Sequence, residues 1–319
     1  MDVDLSTDLA GVPLPNPLMT ASGCAAAGRE LHQFFDVAEL GAVVTKSVML
    51  GARSGRATPR MAETPSGMLN SIGLQGPGID DFVEHDLTWL RSVGARAVVS
   101  IAGGDVAEFI ELAVRLADEP GVAAVEVNIS CPNVANRGLV FACDPGSSSA
   151  VVAAVRAVLP PGIPVLAKLS PDVTDIVEIA AACVAAGADG LTMVNTLLGM
   201  VIDLDRMRPQ LAGLTGGLSG PAIRPVAVRC IWQVYAAMRA GRMPRVPIVG
   251  VGGVRTGRDA LELVLAGASA VQVGTVTFHD PDAPLRVRDE LADELAARGI
   301  GRFVDAVGLA HEVLAGEKR

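Results

Sequence analysis

The chain has 319 residues, half of them hydrophobic and only 3% aromatic, and a formal charge of −9. That length suits one large α/β barrel or two smaller domains, with enough apolar residues for a large core. The acidic balance, the absence of a Lys/Arg block and the scarcity of aromatic rings argue against a nucleic-acid partner, and no apolar run reaches the ~18–20 residues of a membrane span.

Residues 1–16 are expected to form a small hairpin, turning near Gly11 and closing one end of the fold. Short Val/Ile-rich runs then alternate with Ala/Leu-rich stretches of helical period. The runs at 17–21, 42–46, 97–101, 124–129, 164–169, 190–194, 247–251 and 270–274 read as strands. The stretches near 30–39, 79–92, 105–118, 147–158, 174–186, 222–240, 257–266 and 284–297 read as helices. Near-continuous apolar strands are what a buried parallel sheet requires. The turns Ala186-Gly-Ala-Asp189 and Ala266-Gly-Ala-Ser269 each follow a helix and lead into a strand. Such repeating αβ turns predict a (β/α)8 TIM barrel, with a doubly wound sheet as the alternative, and residues 1–319 are expected to form a single domain. Two connections, 47–78 and 195–221, are too long for plain βα loops and should lie over the barrel mouth.

Polar residues collect at the C-terminal ends of the strands, the edge of a barrel where chemistry is done. They are Ser22, Lys46, Ser100, Asn128, Cys131, Asn133, Lys168, Asn195 and Thr196, with Asn70 supplied by the first long connection. Asparagine amides suit a flat ligand carrying carbonyls, ring N–H groups and a carboxylate, and the lysines suit a carboxylate or an electron-rich flavin edge. Cys131, between two asparagines, is either a core thiol or a catalytic base or nucleophile. Lys168 could also serve as the Schiff-base lysine of an aldolase. The seventh strand ends in Gly250-Val-Gly-Gly253 and the eighth in Gly274-Thr275. These glycines mark either tight turns or a phosphate site. The five cysteines (Cys24, Cys131, Cys143, Cys183, Cys230) contain no C-x-x-C, and the four histidines show no metal spacing. No metal is expected, and a reduced cytoplasmic protein fits best. The acidic Met-Asp-Val-Asp-Leu start has no signal-peptide pattern.

Nine segments together resemble the dihydroorotate dehydrogenases over nearly the whole chain: Ala21-Ser-Gly-Cys24, Thr45-Lys-Ser47, Thr58-Pro-Arg60, Gly67-Met-Leu-Asn-Ser-Ile-Gly-Leu-Gln75, Asn128-Ile-Ser-Cys-Pro-Asn133, Ala167-Lys-Leu-Ser-Pro171, Asn195-Thr196, Gly216-Gly-Leu-Ser-Gly-Pro221 and Val251-Gly-Gly-Val254. The resemblance implies an FMN-carrying barrel that oxidises dihydroorotate to orotate in pyrimidine biosynthesis. Cys131 would take the C5 proton while FMN accepts hydride from C6. A cysteine base marks class 1. Within it, Asn195-Thr-Leu-Leu-Gly199 and Gly216-Gly-Leu-Ser-Gly-Pro-Ala-Ile223 look like the NAD-linked subgroup. Such catalytic subunits form homodimers and pass electrons to NAD through a partner subunit carrying FAD and a 2Fe–2S cluster, in a heterotetramer.

Carried over by position, Ser22, Lys46, Ser47, Asn128, Lys168, Val194, Gly220, Gly252, Gly253, Gly274 and Thr275 would contact FMN. Lys46, Asn70, Ser71, Ile72, Gly73, Leu74, Asn128, Asn133, Asn195 and Thr196 would contact substrate. Ser100 stands where relatives usually place a flavin-contacting asparagine, so its contact would be direct or through water. A fumarate-linked dihydroorotate dehydrogenase and a dihydropyrimidine dehydrogenase-like flavin enzyme are the alternative readings.

Overall fold

The computed structural model describes residues 2–130 and 143–312, so Cys131 and Asn133 lie outside the described residues. An N-terminal antiparallel hairpin, β1 (Thr7–Leu9) and β2 (Val12–Leu14), turns through Ala10 and Gly11. Eight parallel strands follow: β3 (Leu18–Thr20), β4 (Val43–Val44), β7 (Ala97–Ile101), β8 (Val122–Asn128), β9 (Val165–Leu169), β10 (Gly190–Met193), β15 (Ile248–Val251) and β16 (Ala270–Val273). Their spatial order is β3-β16-β15-β10-β9-β8-β7-β4. A parallel bridge between Met19 and Ala42, with the Gly41 N–H donating to the Leu18 carbonyl at 2.8 Å, joins the two ends of that order. The sheet is therefore a closed (β/α)8 barrel, and the doubly wound alternative is excluded.

Around it run α1 (Ile79–Asp81), α2 (Thr88–Ser92), α3 (Val106–Ala117), α4 (Pro145–Val158), α5 (Ile176–Ala185), α6 (Arg224–Arg239), α7 (Gly257–Ala266) and α8 (Ala283–Ala297), with α3 to α8 each packed on the next. Local signals set their starts. The side chains of Asp105, Asp144 and Asp175 accept backbone N–H groups at the first turns of α3, α4 and α5, and Thr256 with Asp259 forms a capping box on α7. Gly267 ends α7 at φ +127°, pressed against Tyr235, whose ring lies where a Cβ would have to go. The expected 30–39 helix is instead two single 3₁₀ turns, Leu31–Gln33 and Val37–Glu39. Asp36 explains the break: it is extended, and its carboxylate caps the second turn by accepting from the Ala38 N–H. The 79–92 stretch is helical but widens to a π-turn over Phe82–Leu87, between α1 and α2.

The two long connections pair with each other. β5 (Met61–Thr64) and β6 (Gly67–Asn70) come from the first; β11 (Leu197–Gly199), β12 (Ile202–Asp203), β13 (Arg208–Pro209) and β14 (Gly216–Ser219) come from the second. They build an antiparallel sheet ordered β11-β14-β6-β5, with β12 and β13 as a separate small hairpin.

Side chains alternate in and out along the barrel strands, which divides the lumen into layers. Leu9 and Leu14 of the hairpin close the bottom against Met19, Ala42, Val44, Val98, Ala124, Leu166, Val249 and Ala270. Two residues further along the strands the lumen turns polar, with Ser100, Glu126, Lys168, Thr192 and Gln272 all buried. Two residues further again come Asn128, Val194 and Gly274, at the mouth. Among the described residues no helix is long and apolar enough to cross a membrane.

Candidate active site

Two connected compartments open at the mouth. The larger, about 500 Å³, is lined by Gly220, Gly252, Gly253, Gly274 and Thr275 together with Ser22, Lys168, Val194, Asn195 and Thr196. The smaller, about 320 Å³, is lined by Lys46, Ser47, Asn70 through Leu74, and Asn128, and shares Ser22, Lys168, Asn195, Thr196 and Thr275 with the first. The structure thus brings Ser22, Lys46, Asn128, Lys168, Asn195 and Thr196 together, with Lys168 lining both compartments.

The glycine end is shaped by backbone. Gly253 has φ +77°, and a Cβ on it would lie 2.6 Å from Arg224 Cβ and 3.0 Å from the Gly220 carbonyl oxygen. Only glycine lets the chain turn here against the start of α6. Thr275 and Ser219 hydroxyls meet at 2.8 Å beside it.

The polar end is a continuous hydrogen-bond chain. Ser100 Oγ lies 2.9 Å from Ser47 Oγ, which accepts from Asn128 Nδ2 at 2.9 Å. Asn128 Oδ1 accepts from Ser130 Oγ at 3.0 Å, and Ser130 Oγ accepts from Asn195 Nδ2 at 2.7 Å. Asn195 Oδ1 then accepts from the Thr196 backbone N–H at 2.9 Å. Both the nitrogen and the oxygen of each amide have a partner, so its orientation is set before a ligand arrives. Across the cleft, Asn70 Nδ2 donates to the Gly217 carbonyl at 3.3 Å, and Arg56 donates to Ser71 Oγ at 2.9 Å. The long insertions therefore supply the roof of the smaller compartment. Lys168 pairs with Glu126 at 3.2 Å beneath the floor.

Ser100 is the one described strand-end residue that does not reach the cavity wall. It is fully buried, and its hydroxyl meets that of Ser47, which lines the smaller compartment. Several lining residues were not among the expected set: Cys24, Arg56, Met61, Met68 and Phe278. Burial pushes the Cys24 thiol up to about 11, and neighbouring Lys168 and Lys46 only partly oppose that. Cys183 and Cys230 are buried within helices, their thiols raised by desolvation. No group of metal-ligating side chains occurs among the described residues.

A closed (β/α)8 barrel with lysines, oriented amides and a glycine-lined recess at its C-terminal mouth is a barrel enzyme equipped for an anionic, planar ligand. The family model for dihydroorotate dehydrogenase matches residues 4–295. The chain is 50% identical to the dihydroorotate dehydrogenase B (NAD(+)) catalytic subunit of Geobacter sulfurreducens, over 96% of this chain and 97% of that one. It is 50% identical to the catalytic subunit of the same name from Trichlorobacter lovleyi, over 95% and 97%. For the one from Pelobacter propionicus the figure is 48%, over 97% and 99%. The chain belongs to the dihydroorotate dehydrogenase family of oxidoreductases.

Proposed function

We propose that this chain is an FMN-carrying catalytic subunit that oxidises (S)-dihydroorotate to orotate in the synthesis of pyrimidines. The observation that carries the reading is the junction of the two compartments at Lys168, Asn195 and Thr196. It puts a phosphate-type recess and an amide-lined pocket within reach of one another, as a cofactor and a flat substrate in contact require. The donor set fits FMN. Gly252, Gly253, Gly274 and Thr275 line the end that would take the phosphate. Ser22, Ser47, Asn128, Lys168, Val194 and Gly220 would hold the ring system and its chain, with Lys46 between ring and substrate. Gln272 Oε1, buried at the cavity floor, has no hydrogen-bond partner among the described residues.

When bound, FMN supplies the acceptor for the hydride that leaves C6 of the substrate. Asn70, Asn128, Asn133, Asn195 and Thr196, with the backbone through Ser71, Ile72, Gly73 and Leu74, would pin the pyrimidine ring and its carboxylate. Cys131 would remove the C5 proton, and that thiol must be ionised to do so. Holding both reacting carbons between base and acceptor is the main orientational gain. Residues 1–319 would act as one domain, in a homodimer, passing electrons to NAD through a second subunit that carries FAD and an iron–sulfur cluster.

The test is anaerobic mixing of the yellow protein with dihydroorotate. Wild type should bleach within seconds. Cys131→Ala should retain the colour and bleach slower by at least about 10². A Cys131→Ala protein that bleaches at the wild-type rate removes Cys131 as the base. A colourless protein that binds no FMN removes the whole reading.

A further inference from the structure

Glu126 is a fully buried carboxylate in the barrel lumen that the reaction above does not use. Strand alternation puts it one layer below Asn128, and puts Gln272 one layer below Gly274. β8 and β16 lie four strands apart in an eight-stranded ring, so these two residues face each other across the barrel. They meet there: Gln272 Nε2 donates to Glu126 Oε2 at 3.1 Å. The other oxygen, Oε1, accepts from Lys168 Nζ at 3.2 Å. Each oxygen of the carboxylate therefore has its own partner, one reaching across the lumen and one from the adjacent strand.

We infer that Glu126, braced by Gln272, is a positioning residue that fixes the Lys168 ammonium at the junction of the two compartments. The inference rests on the reading that this cavity holds a flavin.

Stability alone gives no reason for the arrangement. Packed aliphatic side chains usually do at least as well as a buried ion pair. The layer immediately below is aliphatic, built from Ala124, Leu166, Val249 and Ala270. An ion pair one layer higher, with its lysine on the cavity surface, makes sense if the direction of that lysine matters. A four-carbon side chain without an anchor would sample many rotamers. One N–H held by Glu126 restricts Nζ to a point on the floor and leaves its other two N–H groups for what lies above.

The test is a double-mutant cycle on FMN affinity, measured by titrating FMN into stripped protein and following its fluorescence. The proteins are wild type, Glu126→Gln, Lys168→Gln and the double variant, with the melting temperature of each FMN-free protein recorded alongside. Glu126→Gln should weaken FMN binding about tenfold in the Lys168 background and less than about twofold in the Lys168→Gln background. If Glu126→Gln does not fold, Gln272→Met takes its place in the same cycle, with a smaller loss that also vanishes without Lys168. Affinity within twofold of wild type overturns the inference. So does an equal loss in both backgrounds, because a packing role would not depend on Lys168. If wild type binds FMN and bleaches with dihydroorotate while the cycle shows no coupling, the positioning role fails and the function stands. If wild type binds no FMN, both fail.

Discussion

Asn195 donates to Ser130 Oγ across 2.7 Å, and through that hydroxyl the end of β10 is tied to Asn128 at the end of β8. Ser130 is 4% exposed, and among the described residues no other donor is bonded to Asn128 Oδ1 at better than 3.4 Å. Ser130→Ala would leave that carbonyl and the Asn195 amide under-satisfied in a buried place, at a cost of about 1–3 kcal/mol. Asn128 keeps its bond to Ser47 and Asn195 its bond from the Thr196 N–H, but each loses the second bond that fixes it, so the expected result is a fall in kcat/KM of about tenfold, carried by both kcat and KM. Steady-state kinetics with dihydroorotate check it, and Ser130→Thr, which keeps the hydroxyl, should recover most of the loss.

Ser100 acts one step back from the cavity, through Ser47. Its removal leaves Ser47 with Asn128 at 2.9 Å and Ser22 at 3.4 Å. Ser100→Ala should therefore weaken FMN binding by only about fivefold, the worth of about 1 kcal/mol. Ser100→Asn faces a different problem: it puts a longer amide into a fully buried position. Over-packing of about 1–3 kcal/mol is expected, lowering the melting temperature by about 2–4 °C per kcal/mol. Fluorescence titration and thermal melts on both variants separate the two effects.

The barrel was legible because its strands are buried on both faces and so read as unbroken apolar runs. The strand-end residues were legible because a polar side chain that closes such a run sits at the open mouth of the barrel rather than in its core. The roof was not. β5, β6, β11 and β14 are three or four residues long and rich in glycine and methionine, without alternation, and they exist through pairings such as Asn70 with Gly217, 147 positions apart. The helix expected at 30–39 had the right period but not the right caps, and Asp36 stops it. Glu126 and Gln272 are hard to see in the sequence because each is a single polar residue inside an apolar run. Counting back two from Asn128 and from Gly274 puts both in the lumen.

Cys24, which lines the cavity, and Cys131, the proposed base, should behave differently. A thiol removes a proton only as thiolate, so activity that depends on Cys131 should rise as pH climbs through the Cys131 pKa, about 8.5 for an unperturbed thiol. Cys24, raised to about 11, stays a neutral thiol over that range. At pH 8 its thiolate fraction is on the order of one in a thousand, too small for rapid alkylation. Rapid-mixing bleaching rates should show a rising limb between about pH 6 and 10, unchanged in apparent pKa by Cys24→Ser. Iodoacetamide at pH 8 should modify Cys131 and leave Cys24 unmodified in peptide mass maps. A flat rate profile, or early modification of Cys24, contradicts the assignment of the base.

Gly253 and Gly241 both have positive φ, at +77° and +68°, yet only Gly253 is crowded. An alanine Cβ at 253 would meet Arg224 Cβ at 2.6 Å and Arg224 N at 3.0 Å, whereas at 241 nothing lies within 4 Å. Arg224 cannot simply yield, because it opens α6 and pairs with Asp259 and Glu262 of α7. Both substitutions carry a left-handed backbone cost of about 1–2 kcal/mol. Only Gly253→Ala also pushes the backbone of the glycine-lined recess out of place. Gly241→Ala should lower the melting temperature by a few degrees, at about 2–4 °C per kcal/mol, and leave FMN affinity within about twofold. Gly253→Ala should lower it further and weaken FMN binding by at least about tenfold, since displaced N–H groups cannot converge on one phosphate. Equal FMN affinity in the two variants would mean that the glycine-lined end of the cavity does not hold the phosphate.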